Sequence, residues 1–332
     1  MLLSGHSILD FVGRTPLVEL DFLNNGSPQR LFAKVEYYSP SGGPKDRVVR
    51  HIIDRAVRDG RLRAGMTLIE ASTGSTGIAV SLHGAVLGYE VVIVMPEGMS
   101  RERRQLMEAL GAKLELTVGG GSDIENSLRR VQEIIATAPE RYFYVNQFAN
   151  PGNVEAHYYG TGREIWEDCA GQINGFVTMV GTGGTLTGVA RYLRERKADI
   201  RVFAGEPQGS PTYLTGRRAP HVIEGVGDGI VPEIFDRTMV DGFVLVSDAE
   251  TIEMCQRLAH RGGLLVGPSS GANVMAAMKV MRAYPELRNV VTVLPDSGMR
   301  YLSRGLFTEY AGPVSETCRV ALPKLTGKIV IQ

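Results

Sequence analysis

The amino-acid sequence predicts an α/β protein with two domains, each a mostly parallel, twisted sheet flanked by helices. Three observations support this fold class. Short apolar segments alternate with amphipathic helical stretches along most of the chain. The apolar segments are continuous rather than alternating, as in parallel strands covered on both faces. The length of 332 residues and the number of strands indicate two sheets rather than one.

The predicted elements follow this pattern in chain order. Nine segments are predicted to be strands: 31–35, 67–71, 91–95, 113–117, 142–146, 176–180, 202–206, 244–246 and 290–294. Helices are predicted between many of them, over residues 77–87, 101–110, 124–137, 186–196, 250–260 and 272–283. Linker-like composition occurs at 147–152 and 208–231, and the last twenty or so residues read as a partly extended tail.

Composition excludes several classes of function. Lys plus Arg and Asp plus Glu both number 36, so no net charge favours nucleic acid or an acidic membrane. No apolar run reaches transmembrane length, and residues 1–10 have no basic segment followed by a long apolar stretch, so we expect no signal peptide there. Three distant cysteines and six histidines without metal spacing predict neither disulfides nor a metal site. We therefore expect a cytoplasmic enzyme that binds neither nucleic acid nor membrane.

One lysine is held in a tight loop that opens a helix. Residues 39–47 read SPSGGPKDR, and apolar residues then follow at one helical face: Val48, Val49, Ile52, Ile53, Ala56 and Val57. Lys45 therefore lies at a helix N-terminus, where the dipole disfavours a second positive charge and favours the neutral amine. A neutral amine is what Schiff-base chemistry needs. The alternative is a surface lysine near a helix cap.

Two glycine-rich loops follow predicted strands and precede helices. Residues 72–77 read STGSTG, and residues 181–185 read GTGGT. Glycines allow close approach of the backbone, and the N–H groups at a helix N-terminus favour an anion. Ordinary strand–helix connections are the alternative. Leu186 occupies the third-glycine position of a dinucleotide fingerprint, and no Gly-Lys-Ser/Thr follows either loop, so neither is a common nucleotide motif. Together, the two anion-binding loops and the Lys45 amine suit ligands that carry a phosphate, a carboxylate and an aldehyde.

The chain resembles the cysteine synthase and cystathionine β-synthase group of pyridoxal-phosphate enzymes from about residue 8 to 310. The resemblance rests on ordered motifs: VGRTPL at 12–17, PKDR at 44–47, STGSTG at 72–77, NQFANP at 146–151, GTGGT at 181–185, GPSSGA at 267–272, and PDSG with RYLS at 295–303. The resemblance implies fold type II, as in the β subunit of tryptophan synthase. It also implies pyridoxal 5'-phosphate as cofactor and a homodimer.

The resemblance assigns roles to individual residues. Lys45 would form the internal aldimine and later act as the base at the substrate α-carbon. The cofactor phosphate would be held by Gly181, Thr182, Gly183, Gly184 and Thr185, and Ser75 would also contact the cofactor. The substrate carboxylate would be bound by Ser72, Thr73, Thr76 and Gln147, and Gly227 would also be a substrate-binding residue. Ser269 would face the pyridine nitrogen, and Ser270 is the competing choice.

The implied reaction is β-replacement on an activated L-serine, O-acetylserine or O-phosphoserine, through an aminoacrylate. A hydroxyl partner does not keep the pyridine nitrogen protonated, which disfavours transamination and racemisation. Sulfide as nucleophile would give L-cysteine. The alternatives are a specialised synthase that uses an amine, of the diaminopropionate type, and a serine or threonine dehydratase-like lyase. A non-catalytic relative is a further alternative, disfavoured by the intact lysine, glycine loop and serine.

The chain departs from the family pattern in two places. Ser75 stands where the family usually has asparagine, and Gly43-Pro44 replaces a serine followed by an aliphatic residue. Both changes leave the substrate open. Arg217, Arg218 and Asp228 fall near the family's substrate entrance, where arginines would suit an anionic group; a solvated basic loop is the alternative.

The resemblance also divides the chain into domains. A smaller domain over residues 41–148 would carry the substrate-carboxylate loop. A larger domain over residues 1–40 and 149–312 would carry the cofactor-phosphate loop, with residues 313–332 as a tail. Closure of the smaller domain would shield the reaction from water.

Overall fold

The computed structural model describes residues 7–24, 26–120, 123–308 and 328–332. Its strands are β1 (Leu17–Glu19), β2 (Arg30–Val35), β3 (Thr67–Ala71), β4 (Glu90–Pro96), β5 (Lys113–Thr117), β6 (Tyr142–Tyr144), β7 (Gly175–Met179), β8 (Arg201–Pro207), β9 (Gly242–Val246), β10 (Asn289–Leu294) and β11 (Ile329–Ile331). All nine predicted strands are confirmed. The count was wrong by two, because β1 and β11 are edge strands of only three residues, too short to stand out as strands in the sequence.

The helices lie between the strands. They are α1 (Lys45–Arg58), α2 (Ser75–Leu87), α3 (Arg101–Ala109), α4 (Ile124–Thr137), α5 (Gly152–Ala156), α6 (Arg163–Asp168), α7 (Gly184–Arg194), α8 (Thr212–Thr215), α9 (Asp248–Gly262) and α10 (Pro268–Ala283). A π-helical turn, His157–Gly162, joins α5 to α6. Short 3-10 turns lie at Ile8–Phe11, Asp21–Leu23, Glu36–Tyr38, Arg237–Met239 and Gly298–Arg304.

The strands form two sheets. The larger has the order β1-β2-β10-β7-β8-β9-β11, and every pair is parallel except the edge pair β1–β2. The smaller has the order β5-β4-β3-β6 and is wholly parallel. The α/β class with parallel sheets flanked by helices is therefore confirmed. Of the predicted tail, residues 329–331 pair with β9, and residues 313–327 lie outside the described residues.

Helix α1 shows how the sequence pattern positions the cleft. Val48, Val49, Ile52 and Ile53 are fully buried against the smaller sheet's core, as their spacing predicts. Val57, which we expected on the same face, is 48% exposed because it lies one residue beyond the buried stripe. The packing fixes the direction of α1, so its first residue, Lys45, points into the space between the two sheets.

Candidate active site

One cleft collects residues from loops that follow strands in both sheets. The volume of the cleft, with its open mouth, is about 830 Å³. The predicted site residues in its lining are Lys45, Ser72, Thr73, Ser75, Thr76, Gln147, Gly181, Thr182, Gly183, Thr185 and Ser269. Gly184 and Gly227 are not in the lining. Gly184 opens α7 directly behind the loop, and the Gly227 N–H donates to the Val180 carbonyl (3.3 Å). Parallel strands bring these loops together because their carboxyl ends share one edge.

Lys45 is the first residue of α1 and is partly buried in the cleft. Its Nζ lies 3.4 Å from the Thr182 hydroxyl oxygen of the opposite loop. Burial lowers the pKa of Lys45 to about 8, and the negative charges of Asp228 and Glu70 limit the shift. The lowered pKa agrees in direction with the sequence analysis. The main cause is loss of hydration, which we had not weighed, rather than the helix dipole.

The 72–77 loop is held rigid by its own side chains. The Ser72 hydroxyl oxygen accepts hydrogen bonds from the backbone N–H groups of Gly74 (3.0 Å) and Gly77 (2.9 Å). Its hydroxyl hydrogen is left to donate into the cleft. The Thr76 hydroxyl donates to Gln147 Oε1 (2.5 Å), and Gln147 Nε2 donates to the Ala71 carbonyl (2.9 Å). The loop thus presents hydrogen-bond donors above the N-terminus of α2, an arrangement that favours an anion.

A buried arginine supports this loop from behind. Arg103, on α3, is 1% exposed, and its Nη1 donates to the Thr73 carbonyl (2.8 Å). Its Nη2 donates to the Tyr301 hydroxyl (2.6 Å), and the guanidinium lies 3.4 Å from the Glu224 carboxylate. Gly74 has a φ of +150°, and a Cβ there would lie 2.3 Å from Arg103 Cδ. Glycine is therefore required where the loop passes over the arginine.

The 181–185 loop offers mostly main-chain atoms. Gly183 has a φ of +85°, and a Cβ there would lie 2.7 Å from the Phe235 Cβ. The loop leads directly into α7, whose first N–H groups have no partner within the helix. Such a turn binds an anion through backbone N–H groups and the helix dipole.

Asn153 connects the two sides of the cleft. It is buried, and its Nδ2 donates to the Thr182 hydroxyl (3.0 Å) and to the Gln147 carbonyl (2.8 Å). Its Oδ1 is buried without a hydrogen-bond partner and lies against Gly184. The Asn153 side chain therefore fixes the 181–185 loop relative to Gln147, which in turn holds the 72–77 loop.

His157 supports the end of the same loop. Its Nε2 lies 3.1 Å from the Thr185 hydroxyl, and its Nδ1 lies 2.9 Å from the Thr161 hydroxyl. Burial, with the nearby positive charges of Lys45 and Arg47, holds the pKa of His157 well below its usual value. The ring is therefore neutral and acts as a fixed hydrogen-bonding group.

The two candidate serines at the start of α10 face different surroundings. Ser269 lines the cleft. Ser270 is fully buried, and its hydroxyl lies 3.5 Å from the Asp296 carbonyl. Consecutive helical residues point about 100° apart, which follows from 3.6 residues per turn. The geometry favours Ser269 as the residue that meets a ligand.

Two buried carboxylates also face the lysine. Burial raises the pKa of Glu70 to about 8, against hydrogen bonds from the backbone of Gln147, Ala71 and Asn146. Burial raises the pKa of Asp228 to about 6, against the charges of Lys45 and Arg103 and hydrogen bonding from Thr73. Perturbed carboxylates beside a perturbed lysine are typical of a catalytic cleft.

The residues that depart from the family pattern have a structural setting. Ser75 and Pro44 both line the cleft. A Cβ at Gly43 would lie 3.3 Å from the Pro295 carbonyl oxygen, so this chain leaves little room for a side chain there. Arg217 and Arg218 are exposed and do not line the cleft; Arg218 pairs with Glu125 (3.1 Å). Arg217 and Arg218 therefore lie in a solvated loop, the alternative given in the sequence analysis.

Several supporting residues were missed by the sequence analysis. Asn153 and His157 are four residues apart, so helical spacing beyond the NQFANP motif could have placed them on one face. Glu70 is the one charged residue in a wholly buried strand, β3, which was a usable signal. Arg103 lies among three arginines in α3, and nothing in the sequence distinguishes the buried one.

The residues present fit pyridoxal 5'-phosphate. Backbone N–H groups at the start of α7 that suit an anion, a lysine with a lowered pKa and a serine all meet at the same cleft. No group of three or more metal-ligating side chains occurs among the described residues. Within the same residues, no helix is both long and apolar enough to cross a membrane.

Comparison with known proteins agrees with this geometry. Residues 8–296 match the model of the family described as pyridoxal-phosphate dependent enzyme. Cysteine synthase A of Escherichia coli K12 is 42% identical over 307 residues, covering 90% of this chain and 94% of the relative. A crystal structure of cysteine synthase from Entamoeba histolytica superposes with a TM-score of 0.87 at 38% identity, covering 94% and 93% of the two chains. An O-ureido-L-serine synthase superposes with a TM-score of 0.85 at 36% identity, covering 91% and 95%.

Proposed function

Because the chain belongs to the family of pyridoxal-phosphate dependent enzymes, we propose that it is a cysteine synthase-like transferase. It catalyses β-replacement on an activated L-serine, most simply O-acetylserine with sulfide to give L-cysteine. Relatives and solved structures named cysteine synthase support this reaction. The observation that carries the proposal is the position of Lys45, whose Nζ reaches across the cleft to the 181–185 loop.

The chain's own residues would hold the cofactor. Lys45 would attach to its aldehyde, and the loop from Gly181 to Thr185 would hold its phosphate through backbone N–H groups. Ser269 would be the hydroxyl partner of the ring nitrogen. Ser75 would contact the cofactor with a shorter side chain than the family's asparagine. When bound, the cofactor supplies a sink for the electron pair released as a bond to the substrate Cα breaks.

The substrate carboxylate is bound by the 72–77 loop. The hydroxyl groups of Ser72 and Thr73, the backbone at Thr76 and the amide of Gln147 converge above the N-terminus of α2. Gly227 would act indirectly: its N–H donates to the Val180 carbonyl and so fixes the segment that carries Asp228. Fixing the carboxylate orients the Cα–H bond toward the lysine, and orientation of this kind supplies much of enzymatic rate enhancement.

Lys45 moves the proton at Cα. Its lowered pKa, about 8, leaves a useful fraction of the amine neutral near physiological pH. As a free amine, Nζ would accept the Cα proton and would return a proton when the product forms. The hydrogen bond to the Thr182 hydroxyl holds Nζ on the side of the cleft that faces the glycine loop.

The organisation of the chain is part of the proposal. Residues 41–148 would move as a smaller domain against residues 1–40 and 149–312, since the carboxylate loop and the phosphate loop would then lie on different bodies. We also propose a cytoplasmic homodimer. The free thiols of Cys169 and Cys255 support the cytoplasmic location. Exposed apolar side chains such as Phe11 (61% exposed) and Tyr38 (67% exposed) support the dimer, because a second copy would cover them. The solution mass by light scattering tests the dimer.

A spectroscopic titration tests the function. Purified protein reconstituted with pyridoxal phosphate is mixed in turn with O-acetylserine, O-phosphoserine, serine and cysteine, and the visible spectrum is recorded. A spectral change with an activated serine, reversed by sulfide with formation of cysteine, is the expected result. Lys45→Ala should lose both the covalent cofactor band and turnover, whereas Lys113→Ala, at an exposed lysine, should retain them. An unchanged spectrum with every substrate contradicts the proposal.

A further inference from the structure

Asp228 lies at the junction of two cavities. The cleft described above and a second, outer cavity of about 870 Å³ share five lining residues: Thr73, Glu224, Gly225, Val226 and Asp228. The outer cavity continues to Gly98, Met99, His221 and Arg304. Asp228 is 6% exposed, so its carboxylate is nearly removed from water while still bordering both spaces. A group entering or leaving the inner cleft through the outer cavity passes this carboxylate.

We propose that Asp228 is a second catalytic acid–base group, which gives a proton to the group leaving Cβ. This enables the enzyme to eliminate thiol and hydroxyl groups as well as acetate or phosphate. The inference rests on the proposed function, since it takes Lys45 as the base at Cα. It goes further in assigning a second proton site and a wider class of substrates.

The charges around Asp228 keep its proton exchangeable. Lys45 faces it from α1, Arg103 from α3 and Tyr213 from α8, with the Thr73 side chain beside it. His221, Glu224 and Arg304 border the outer cavity on the same side. Burial raises the pKa of Asp228 to about 6, and the two cations keep it from rising further. Both protonation states are therefore accessible near neutral pH, which suits a group that alternates between acid and base.

The chemistry explains why such a group matters. Acetate leaves as a carboxylate, whose conjugate acid has a pKa of about 4, and needs no proton. A thiolate is far more basic, with a thiol pKa of about 8.5, and hydroxide more so again. These groups leave readily only when a proton is transferred as the bond to Cβ breaks. The cleft offers Asp228 for that transfer, and Lys45 is already committed to the Cα proton.

The elimination from L-cysteine balances as follows. Lys45 Nζ takes the proton from Cα, and the Cα–H electron pair becomes the second bond between Cα and Cβ. The Cβ–S bond breaks with its electron pair going to sulfur, and Asp228 transfers its carboxyl proton to sulfur. Hydrogen sulfide leaves, and Asp228 is left as a carboxylate. Water then converts the three-carbon unit to pyruvate and ammonia. In the direction of synthesis, the Asp228 carboxylate accepts the proton of the incoming thiol.

The kinetic test compares leaving groups in the holoenzyme. Wild type and Asp228→Asn are assayed for acetate release from O-acetylserine and for sulfide release from L-cysteine. We expect Asp228→Asn to lower kcat for L-cysteine by about 100-fold and for O-acetylserine by less than about threefold, since acid catalysis contributes 10²–10⁴-fold. Glu206→Gln is the matched control. Glu206 is a second buried carboxylate with a raised pKa, about 7, but it lines neither cavity, so its removal should not change this ratio.

A measurement independent of turnover accompanies the kinetics. Infrared difference spectra of the holoenzyme between pH 5 and pH 8 report protonated carboxyl groups. Wild type should contain a carboxyl band that disappears as pH rises through about 6 and that Asp228→Asn lacks. Equal cofactor absorbance and melting temperature in the two proteins exclude misfolding of the variant.

The outcomes separate the two proposals. Absence of acetate release from O-acetylserine by wild type contradicts the proposed function, but an Asp228-dependent release of sulfide still supports this inference. The inference is overturned if wild type does not eliminate L-cysteine. It is also overturned if the substitution slows both substrates equally, or if the Asp228 infrared band is missing.

Discussion

Replacing Asn153 by aspartate should weaken cofactor binding by about 100-fold. The amide end of this side chain lies between the Thr182 hydroxyl and Gly184, at the loop that we propose holds the phosphate. Two unit charges about 5 Å apart at an effective dielectric constant of about 20 interact by about 3 kcal/mol. Since about 1.4 kcal/mol is a tenfold change in affinity, the added negative charge accounts for the expected loss.

A second substitution separates charge from lost hydrogen bonds. Asn153→Ala removes the donations to Thr182 and Gln147 without adding charge. Each buried hydrogen bond contributes about 1 kcal/mol, so this variant should lose about 2 kcal/mol of stability and roughly tenfold in cofactor affinity. Asn126→Asp is the matched control, because Asn126 lies exposed on α4, away from the cleft.

The assay is equilibrium titration of the cofactor-free variants with pyridoxal phosphate, followed by protein fluorescence, with melting temperatures measured in parallel. The expected order of affinity is wild type and Asn126→Asp, then Asn153→Ala, then Asn153→Asp. If Asn153→Asp binds the cofactor as tightly as Asn153→Ala does, the phosphate does not lie in the 181–185 loop. The placement of the cofactor argued above would then be refuted.

Three further predictions concern the supports of the cleft. Gly74→Ala should lower the free energy of unfolding by about 2–4 kcal/mol, because its Cβ would meet Arg103. Gly88→Ala, with a positive φ but nothing within 4 Å, should show only the smaller backbone cost, and equal losses would exclude the clash. Arg103→Ala should cost about 3–5 kcal/mol in a denaturant titration, since it removes the buried guanidinium that pairs with Glu224 and donates hydrogen bonds to Thr73 and Tyr301; a loss no larger than that of Arg104→Ala would contradict this. Glu70 has a pKa raised to about 8, so its contribution to stability is complete below about pH 4.5 and is lost as pH rises through 8. Glu70→Gln should therefore flatten the fall in stability of the cofactor-free protein over that range, which has a limit of about 1.4 kcal/mol per pH unit; an unchanged slope would show that folding does not raise the pKa of Glu70.

The sequence was informative where chemistry depends on local pattern. The apolar segments located nine of the eleven strands that the structure describes, and the glycine loops at 72–77 and 181–185 meet in one cleft as expected of turns after parallel strands. Lys45 could be singled out because it opens a helix from a tight loop. These features depend on residues close together in the chain, so they can be recognised from a single sequence.

The remaining features depend on contacts between distant segments. Arg103 is joined to Tyr301, almost two hundred positions away, and only packing distinguishes it from Arg101 and Arg104. The short strands β1 and β11 form because β2 and β9 offer free edges. Each has only three residues, and so few residues do not indicate a strand by themselves, even where they are β-branched as in Ile329–Ile331. The perturbed acids Glu70 and Asp228 owe their pKa values to desolvation, which a sequence does not display.

The central position of β10 in the larger sheet has a consequence for biosynthesis. This strand, Asn289–Leu294, lies between β2 and β7, so the larger sheet cannot be completed until residue 294 has left the ribosome. The smaller sheet needs only residues up to Tyr144 and can assemble while the rest is still being translated. In the interval β2 has no parallel neighbour, and its backbone groups form an open edge prone to pairing with other nascent chains. We therefore expect truncation before residue 289 to yield aggregates, and the slow step of refolding to be insertion of β10.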